Sequence, residues 1–395
     1  MVMRRRTGWL SLLFATGTLL SVPLVTASVP EPRAGLAALD MAFRFASAID
    51  PDPKDKAMAQ EAVVLEYGRL GAFDTAIRKA GEIEGWRRGT AYADLAGLLV
   101  ERGRNAEAQP LIEKARSVRA MVMDWHGPRI EAHVADVLAR MGEVNTTQKI
   151  ARDLSSDELQ YAGRSLAAVA VGHAARGDFE TAMKGLDEGG VNPDLVVVQG
   201  RVSAYVEISG LRNLTETQRR KALQAGHAAA AAMPGWQKAE LLDEVARGWI
   251  AFGDRETARR CLGDAEQAVR PLPATMPAKG PLLNRLAATY GRAGENGKAV
   301  ELLRLAEREA GETIAIDQPA ILAGTAAGWD ALGNDTESRR LLAKAIATAE
   351  GLVNARPRAL ALVSICRAMG RQDLPLDDAV KSRLERLYAG LKAPW

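Results

Sequence analysis

The sequence has 395 residues, of which 47% are hydrophobic and 5% aromatic, and it carries 52 Lys and Arg against 49 Asp and Glu. Three of the basic residues, Arg4–Arg6, lie in an N-terminal leader that has no acidic residue, so the remainder is balanced at 49 against 49. A balanced chain lacks the basic excess typical of phosphate-binding proteins, and nucleic acid is not an expected partner. Few aromatic residues and abundant Ala favour closely packed helices over a β-rich core.

Residues 1–27 are predicted to be a signal peptide. Arg4–Arg6 form a cationic start, Trp9–Val25 is mostly apolar, and Val25-Thr26-Ala27 supplies small residues where a signal peptidase cleaves. Cleavage near Ala27 would export the chain to the periplasm or the medium, and no membrane insertion is expected afterwards. The alternative is an uncleaved anchor, although the apolar core of about 17 residues falls just short of a spanning helix.

Residues 28–53 are predicted to form a linker and one helix. Leu36–Ile49 is apolar around most of its circumference, which is typical of a buried helix. Pro51 and Pro53 end it, because Pro lacks the backbone donor that a helix requires and restricts the residue before it.

From residue 54 onward the chain repeats one pattern, which is clearest in Ala239–Ala268. An apolar-periodic helix ends at Phe252, Gly253 makes a turn, and a second helix begins at Arg255. Each such Gly is predicted to be the left-handed residue that ends the first helix of a hairpin. Related turns occur at Gly71, Gly103, Gly142, Gly177, Gly294, Gly333 and Gly370, with a degenerate turn at Gly210.

The register of residues around the turn glycine supports this repeat. The position seven residues before it is nearly always small, as expected where helices cross at close range. These residues are Val64, Ala96, Ala135, Ala170, Ser203, Ala246, Ala287, Ala326 and Val363. Five residues after the glycine, Ala recurs at Ala76, Ala108, Ala182, Ala258 and Ala299.

These features resemble tetratricopeptide repeats, and Gly177–Ala182 (GDFETA) is the nearest match. The resemblance covers about residues 54–391 and implies an all-α fold, an α-solenoid of about eight to nine helix-turn-helix repeats forming a TPR-like superhelix. Most intervals between glycines exceed the family's 34 residues, so second helices or loops are lengthened. The residue two positions after the glycine is aromatic at Phe73 and Phe179 but elsewhere departs from the family pattern.

The repeats are predicted to span residues 54–270 and 282–375. A Pro-rich connection at 271–281 separates the two arrays, and residues 376–395 form a C-terminal capping helix. The many charges on that last helix favour an open array with a polar end, in which distant parts of the chain do not meet.

The two cysteines are predicted to be free and mostly buried. Cys261 and Cys366 lie in repeats separated by two whole units, on the order of 20–30 Å if helices pack about 8–10 Å apart. A disulfide needs Cα atoms within about 7 Å.

No phosphate loop, nucleophile elbow or helical zinc motif is present, and no cofactor is expected. Metal-type ligands cluster only at Asp124, His126, His133 and Asp136, a spacing that does not define a metal site. Trp86, Trp125 and Trp236 each precede a turn glycine by 17 residues. They are interpreted as wedges between repeats; the alternative is a stacking platform for a sugar or an aromatic ligand.

In tetratricopeptide repeats the first helices line a concave groove. The resemblance places groove positions thirteen, ten, six and three residues before each turn glycine. The candidates for partner binding are Arg129, Asp136, Arg164, Glu207, Glu240, Asp243, Arg247, Asn284, Asp330 and Arg367. Asp243, Arg247 and Asn284 are the first choice for contacts. A shallow trough of mixed charge suits an extended peptide or a partner's helix.

The predicted function is therefore a non-enzymatic, exported scaffold that binds a protein or peptide partner. The alternative is an enzyme built as a helical toroid that acts on cell-wall or other polysaccharide. In that hypothesis Glu240 and Asp243, three residues apart on one helical face, are the paired carboxylates.

Overall fold

The computed structural model describes residues 34–50, 52–154, 159–188, 195–374 and 376–392. The predicted signal peptide, residues 1–27, lies outside them. The described residues form nineteen α-helices and no strand, as the sequence predicts. None of these helices is both long and apolar enough to cross a bilayer.

The helices fall into an inner and an outer set. The inner helices are α2 (Pro53–Arg69), α4 (Arg87–Glu101), α6 (His126–Arg140), α8 (Leu159–Ala175), α10 (Leu195–Gly210), α12 (Gly235–Phe252), α14 (Lys279–Ala293), α16 (Gln318–Ala331) and α18 (Ala355–Arg371). The outer helices are α1 (Leu36–Ser47), α3 (Phe73–Ala80), α5 (Asn105–Met121), α7 (Val144–Asp153), α9 (Phe179–Glu188), α11 (Glu216–Ala231), α13 (Arg255–Val269), α15 (Asn296–Glu312), α17 (Asp335–Glu350) and α19 (Asp378–Ala389).

The turn glycines adopt the predicted backbone conformation in most repeats. Gly253 ends α12 with φ 99°, and the next residue, Asp254, accepts a hydrogen bond from the backbone of Thr257 to cap α13. Positive φ also occurs at Gly71, Gly103, Gly142, Gly177, Gly294 and Gly333. The prediction is wrong for Gly210 and Gly370, whose φ is not positive. α18 continues past Gly370, and Asp373 takes the left-handed position instead.

Small residues let successive inner helices approach closely. Ala96, Ala246 and Ala326, all from the predicted small-residue column, are fully buried. Near the start of α14, a Cβ on Gly280 would lie only 2.5 Å from Cδ1 of Ile321 on α16. A similar crossing occurs between α4 and α6, where a Cβ on Gly89 would lie 2.7 Å from Cδ1 of Ile130.

The solenoid closes on itself, so the expectation of an open array is wrong. Helix α1 packs against α18 as extensively as outer helix α11 packs on α10 in its own hairpin. α18 also contacts α2, so the nine inner helices of the described chain form a continuous ring. The N-terminal helix thereby supplies the missing outer half of the last repeat. Its all-round apolar surface is buried because α18, α2 and α19 surround it.

Both backbone and side-chain contacts hold the closure. A Cβ on Gly35 would lie 2.5 Å from the carbonyl oxygen of Gly370, so the two segments meet at a distance only Gly permits. The Gly35 amide donates to Asp373 (2.7 Å). Arg44 on α1 pairs with Glu385 on α19 (3.0 Å), which shows that the last helix is not a free polar cap.

The buried apolar side chains of the described chain form two clusters. One runs from α10 through α18, across the closure, and on to α6, while a second occupies α8–α11. The clusters are separate between α6 and α8 and also within α10 and α11, where each cluster holds some of the buried residues. Buried apolar contacts still occur beside the first boundary, since a Cβ on Gly172 of α8 would lie 2.6 Å from Cγ2 of Val144.

Cys261 and Cys366 are both unpaired and fully buried, as predicted, in α13 and α18. Burial raises the pKa of each thiol to about 12, so both behave as small apolar side chains near neutral pH.

Candidate functional site on the inner wall

The side of the inner helices that faces away from the outer helices is called the inner wall here. At the junction of α4, α6 and α8 it carries a chain of four polar side chains. His133 Nδ1 lies 2.6 Å from Asp94, and His133 Nε2 lies 2.9 Å from an Arg164 nitrogen. Arg164 also donates through Nε to Asp136. Each contact joins neighbouring helices, so this network links α4, α6 and α8 on the inner wall.

Arg140 extends the network along the wall. Its guanidinium donates to Glu101 on α4 (2.7 Å) and pairs with Glu207 on α10 (2.8 Å). The side chain therefore spans from α4 to α10 in front of α8. Asp94, Glu101, His133, Asp136, Arg140, Arg164 and Glu207 are together called the wall network.

Two adjoining cavities open along this stretch and form one trough. The larger has a volume of 340 Å³ and lies across α6, α8 and α10; the smaller has 160 Å³ and lies across α2, α4 and α6. They share Asp136, Arg140 and Arg164. The floor of the larger cavity is Ala and Val, and its sides carry Gln199, Ser203 and charges of both signs.

Burial raises the pKa of the carboxyl groups on the inner wall, whereas pairing with a cation lowers it. Burial raises the pKa of Glu207, and the charge of Arg140 offsets only part of that rise. Burial likewise raises the pKa of Glu244, which accepts a hydrogen bond from Ser203 (2.6 Å). For Asp94, burial alone would raise the pKa, but contact with His133 and the charge of Arg164 lower it.

Two of the first-choice contact residues, Asp243 and Asn284, contact neighbouring inner helices. The Asp243 carboxylate is only 2% exposed and accepts hydrogen bonds from Thr289 (2.6 Å) and Arg285 (3.3 Å) on α14. Arg285 also binds Glu240 (2.7 Å). Arg247 pairs with Asp243 within α12 (3.3 Å).

The other candidates either contact a neighbouring inner helix or lie away from the trough, except for three that line it. Asn284 bridges α14 and α16 by donating to the Ile321 carbonyl and accepting from Thr325 (both 2.9 Å). Arg367 pairs with Glu66 across the closure (3.0 Å). Arg129 lies over the ring of Trp86, and Asp330 lines a different cavity beside α19. Of the ten, the trough itself brings together Asp136, Arg164 and Glu207.

Comparisons with known proteins find similarity to solved structures alone, at low identity. No protein-family model matches the chain, and no curated protein is similar to it in sequence. Among solved structures it is similar to Ton1535 from Thermococcus onnurineus NA1, with 14% identity over 84% of this chain and 98% of that one, at a TM-score of 0.32. It is also similar to the APC/C hetero-tetramer Cut9–Hcn1 (12% identity, 86% and 77% coverage, TM-score 0.28). A third structure is a circular tandem repeat protein with novel repeat topology (14% identity, 91% and 96% coverage, TM-score 0.30).

The chain is a TPR-like helical repeat protein. Its buried small-residue column and left-handed turn glycines carry that statement, and the contacts of α1 and α18 add that the array is closed. Solenoids of this kind present extended surfaces that bind protein partners in general.

One set of equivalent inner-wall positions, nine residues before the turn glycine, was not among the groove positions predicted from the sequence. It contains Asp94, His133, Glu244 and Arg285. This position lies one helical turn from the thirteenth and sixth positions, so it shares their face. The spacing of the predicted positions could therefore have identified it.

The residues considered for a metal site lie in two separate places. His126 pairs with Asp124 (2.9 Å) at the start of α6, whereas His133 and Asp136 belong to the wall network. Among the described residues no group of three His, Cys, Asp or Glu side chains could hold a metal ion.

The three tryptophans have different environments. Trp86 and Trp236 are half-buried against the core, in agreement with a wedge between repeats. Trp125 is 55% exposed, so the wedge interpretation is wrong there. Its ring stacks on His126 (3.6 Å between centroids), which in turn stacks on Trp86 (4.6 Å). The loop before α6 thus presents an exposed aromatic surface beside Met123.

Proposed function

We propose that the protein is an exported scaffold whose trough binds an extended peptide or a helix of a protein partner. The observation that carries the proposal is the trough itself. Along α8 and α10 the inner wall has an opening lined by Ala and Val, with charged side chains of both signs beside it. Export rests on the leader in residues 1–27.

The chemistry of the trough suits a polypeptide. Gln199 and Ser203 offer donors and acceptors for a partner's backbone, and the small floor side chains allow a main chain to approach closely. Charges of both signs at Arg140, Arg164 and Glu207 can read a partner's side chains at fixed positions. A shallow surface with paired charges is less suited to enclosing a small molecule.

Ring closure restricts how a partner can reach the trough. Because the inner helices of the described chain form a continuous ring, a partner must bring a chain end or a loop to the inner wall. The proposed ligand is therefore a terminal segment or a projecting loop rather than a folded domain surface.

A photo-crosslinking residue at position 199 tests this proposal. Gln199 is exposed on the trough, and Gln109 is exposed on outer helix α5, so the pair provides a site and a matched control. We expect benzoylphenylalanine at 199, but not at 109, to crosslink a discrete polypeptide in the native envelope. Gln199→Trp should then weaken capture of that polypeptide by about tenfold, while Gln109→Trp leaves it unchanged. Equal crosslinking at the two positions, or none at 199, would contradict trough binding.

Ring closure also bears on a second candidate, an enzyme that acts on polysaccharide. A closed helical ring encloses a wall where carboxylates can converge, and Trp125 supplies one exposed aromatic surface. However, Arg285 binds both Glu240 and Asp243, so neither is free for acid–base work. The scaffold proposal predicts no turnover by the native chain on a panel of cell-wall glycans. Turnover that is lost in Glu240→Gln would establish the enzyme instead.

A further inference from the structure

A cavity of 640 Å³ lies beside the ring closure, apart from the trough. It is bounded by α17, by the C-terminal ends of α16 and α18, and by the start of α19. α19 packs between α17 and α1, as its contacts Arg383–Glu350 and Phe45–Tyr388 show. The start of α19 therefore covers α17 incompletely and leaves this space.

The wall of the cavity is mainly apolar. Leu342 and Ile346 on α17 and Met369 on α18 are buried, and Leu374 and Val380 face them from the α19 side. A space of this size and lining falls in the range of small-molecule sites and favours a ligand with an aliphatic part.

Asp330 differs from the other charged residues of this cavity in its lack of a partner. Its carboxylate has no hydrogen bond or ion pair among the described residues, and burial together with the charge of Asp335 raises its pKa. The nearby cations are already paired, Arg383 with Glu350 and Arg339 with Asp335. An unneutralised, half-buried carboxylate is a favourable place for a cation.

A second group in the cavity also lacks a partner. The Ser338 hydroxyl is buried, with the residue 1% exposed, and makes no hydrogen bond in the described chain. Buried polar groups normally find a partner, and one left unpaired at a cavity indicates a ligand group within reach. Ser338 thus points to a polar head near Asp330 independently of the carboxylate.

We propose that this cavity, called the closure cavity, binds a small organic cation with an aliphatic tail, of the alkylammonium class. The ammonium group donates to Asp330 and Ser338, and the tail packs on Leu342, Ile346 and Met369. An alkyl carboxylate would meet the negative charges of Asp330, Asp335 and Asp377. An uncharged alcohol would leave the Asp330 charge unneutralised. The site is separate from the trough and does not depend on the proposed scaffold function.

Calorimetric titration of the full chain with n-octylammonium chloride, below its micellar concentration, tests the assignment. Octanoate and n-octanol have the same tail and differ only in the head group. We expect saturable binding of octylammonium, no binding of octanoate, and binding of octanol weaker by about tenfold or more. Equal binding of the three probes would show nonspecific adsorption and overturn the proposal.

Two variants locate the binding. Asp330→Asn should weaken octylammonium binding by about tenfold or more, since it removes the charge but keeps the shape. Asp335→Asn, at an exposed residue already paired with Arg339, should change it by less than about threefold. Leu342→Met, which preserves the core volume, serves as the folded control for Leu342→Trp, which fills the cavity and should abolish binding. Circular dichroism checks that each variant is folded, and unchanged affinity in a folded Asp330→Asn would refute the site.

Discussion

Phe45→Ala is expected to lower the free energy of unfolding by about 3–5 kcal/mol, the usual cost of truncating a fully buried Phe. Phe45 is 0% exposed in α1, and its ring meets Tyr388 of α19 edge-on, with centroids 5.8 Å apart. The lost packing lies in α1, the helix that joins the two ends of the described chain. The variant should therefore loosen the closure before it unfolds the repeats opposite.

Urea unfolding followed by circular dichroism measures the free energy, and hydrogen exchange locates the effect. We expect amide protection to fall together in α1, α2 and α18, which are distant in sequence but adjacent at the closure. Met58→Ala is the control, because Met58 is 42% exposed and its truncation should stay within about 0.5 kcal/mol. Loss of protection confined to α1, with α18 unaffected, would show that the ends do not meet in solution.

The repeat architecture was predictable because the geometry within each repeat depends on a few neighbouring residues. The small side chain of Ala246 predicts a close helix crossing, and Gly253 predicts a left-handed turn. Closure depends instead on how small rotations accumulate over nine repeats, and no single repeat encodes that sum. One clue was present in the sequence of Leu36–Ser47, which is apolar around most of its circumference. Such a helix needs more neighbours than α2 alone, and seven of its twelve residues are buried in the structure.

The contacts of the candidate residues were not predictable from the sequence. The face of a helix follows from its period, and in the structure Asp136, Glu240 and Asn284 each contact a neighbouring inner helix. Pairing depends on the axial offset between two helices, which separate helical patterns do not contain. Asp243 and Arg285 lie 42 residues apart, and only the packed structure shows that the arginine neutralises the acid. Charges that look like a binding surface in sequence are mostly contacts between repeats.

These contacts make the wall a structural element as well as a surface. The two clusters of buried apolar side chains are separate between α6 and α8, and the wall network links these two helices. A partner in the trough would lie against the same side chains. Binding there should therefore stabilise the folded ring, because a ligand that binds the folded state and not the unfolded chain shifts the equilibrium toward the folded state.

Glu66→Gln is expected to cost about 1–3 kcal/mol, because it removes the buried charge that three arginines bind and leaves the mostly buried Arg367 without its carboxylate. The Glu66 side chain is 1% exposed on α2 and binds Arg367 (3.0 Å) and Arg371 on α18, and Arg69 on its own helix (3.0 Å). Arg367 is itself mostly buried, at 26% exposure, so its lost contact is the costly one, whereas Arg69 and Arg371 are more than half exposed and can be solvated. Glu107→Gln is the matched control: Glu107 pairs with Arg104 on the exposed surface of α5, and no measurable loss of stability is expected there.

The same cluster predicts how stability depends on pH. Burial alone would raise the pKa of Glu66, but the hydrogen bond from Arg371 and the charges of the three arginines hold it below its ordinary value of 4.5. A depressed folded-state pKa contributes stability that is complete above about pH 4.5 and is lost as the pH falls through the folded value. Urea midpoints of the wild type and Glu66→Gln should therefore differ most at neutral pH and converge below pH 4.5. A difference that stays constant down to pH 3 would mean that the ionised carboxylate does not hold α2 to α18, and the ion cluster would no longer account for the closure.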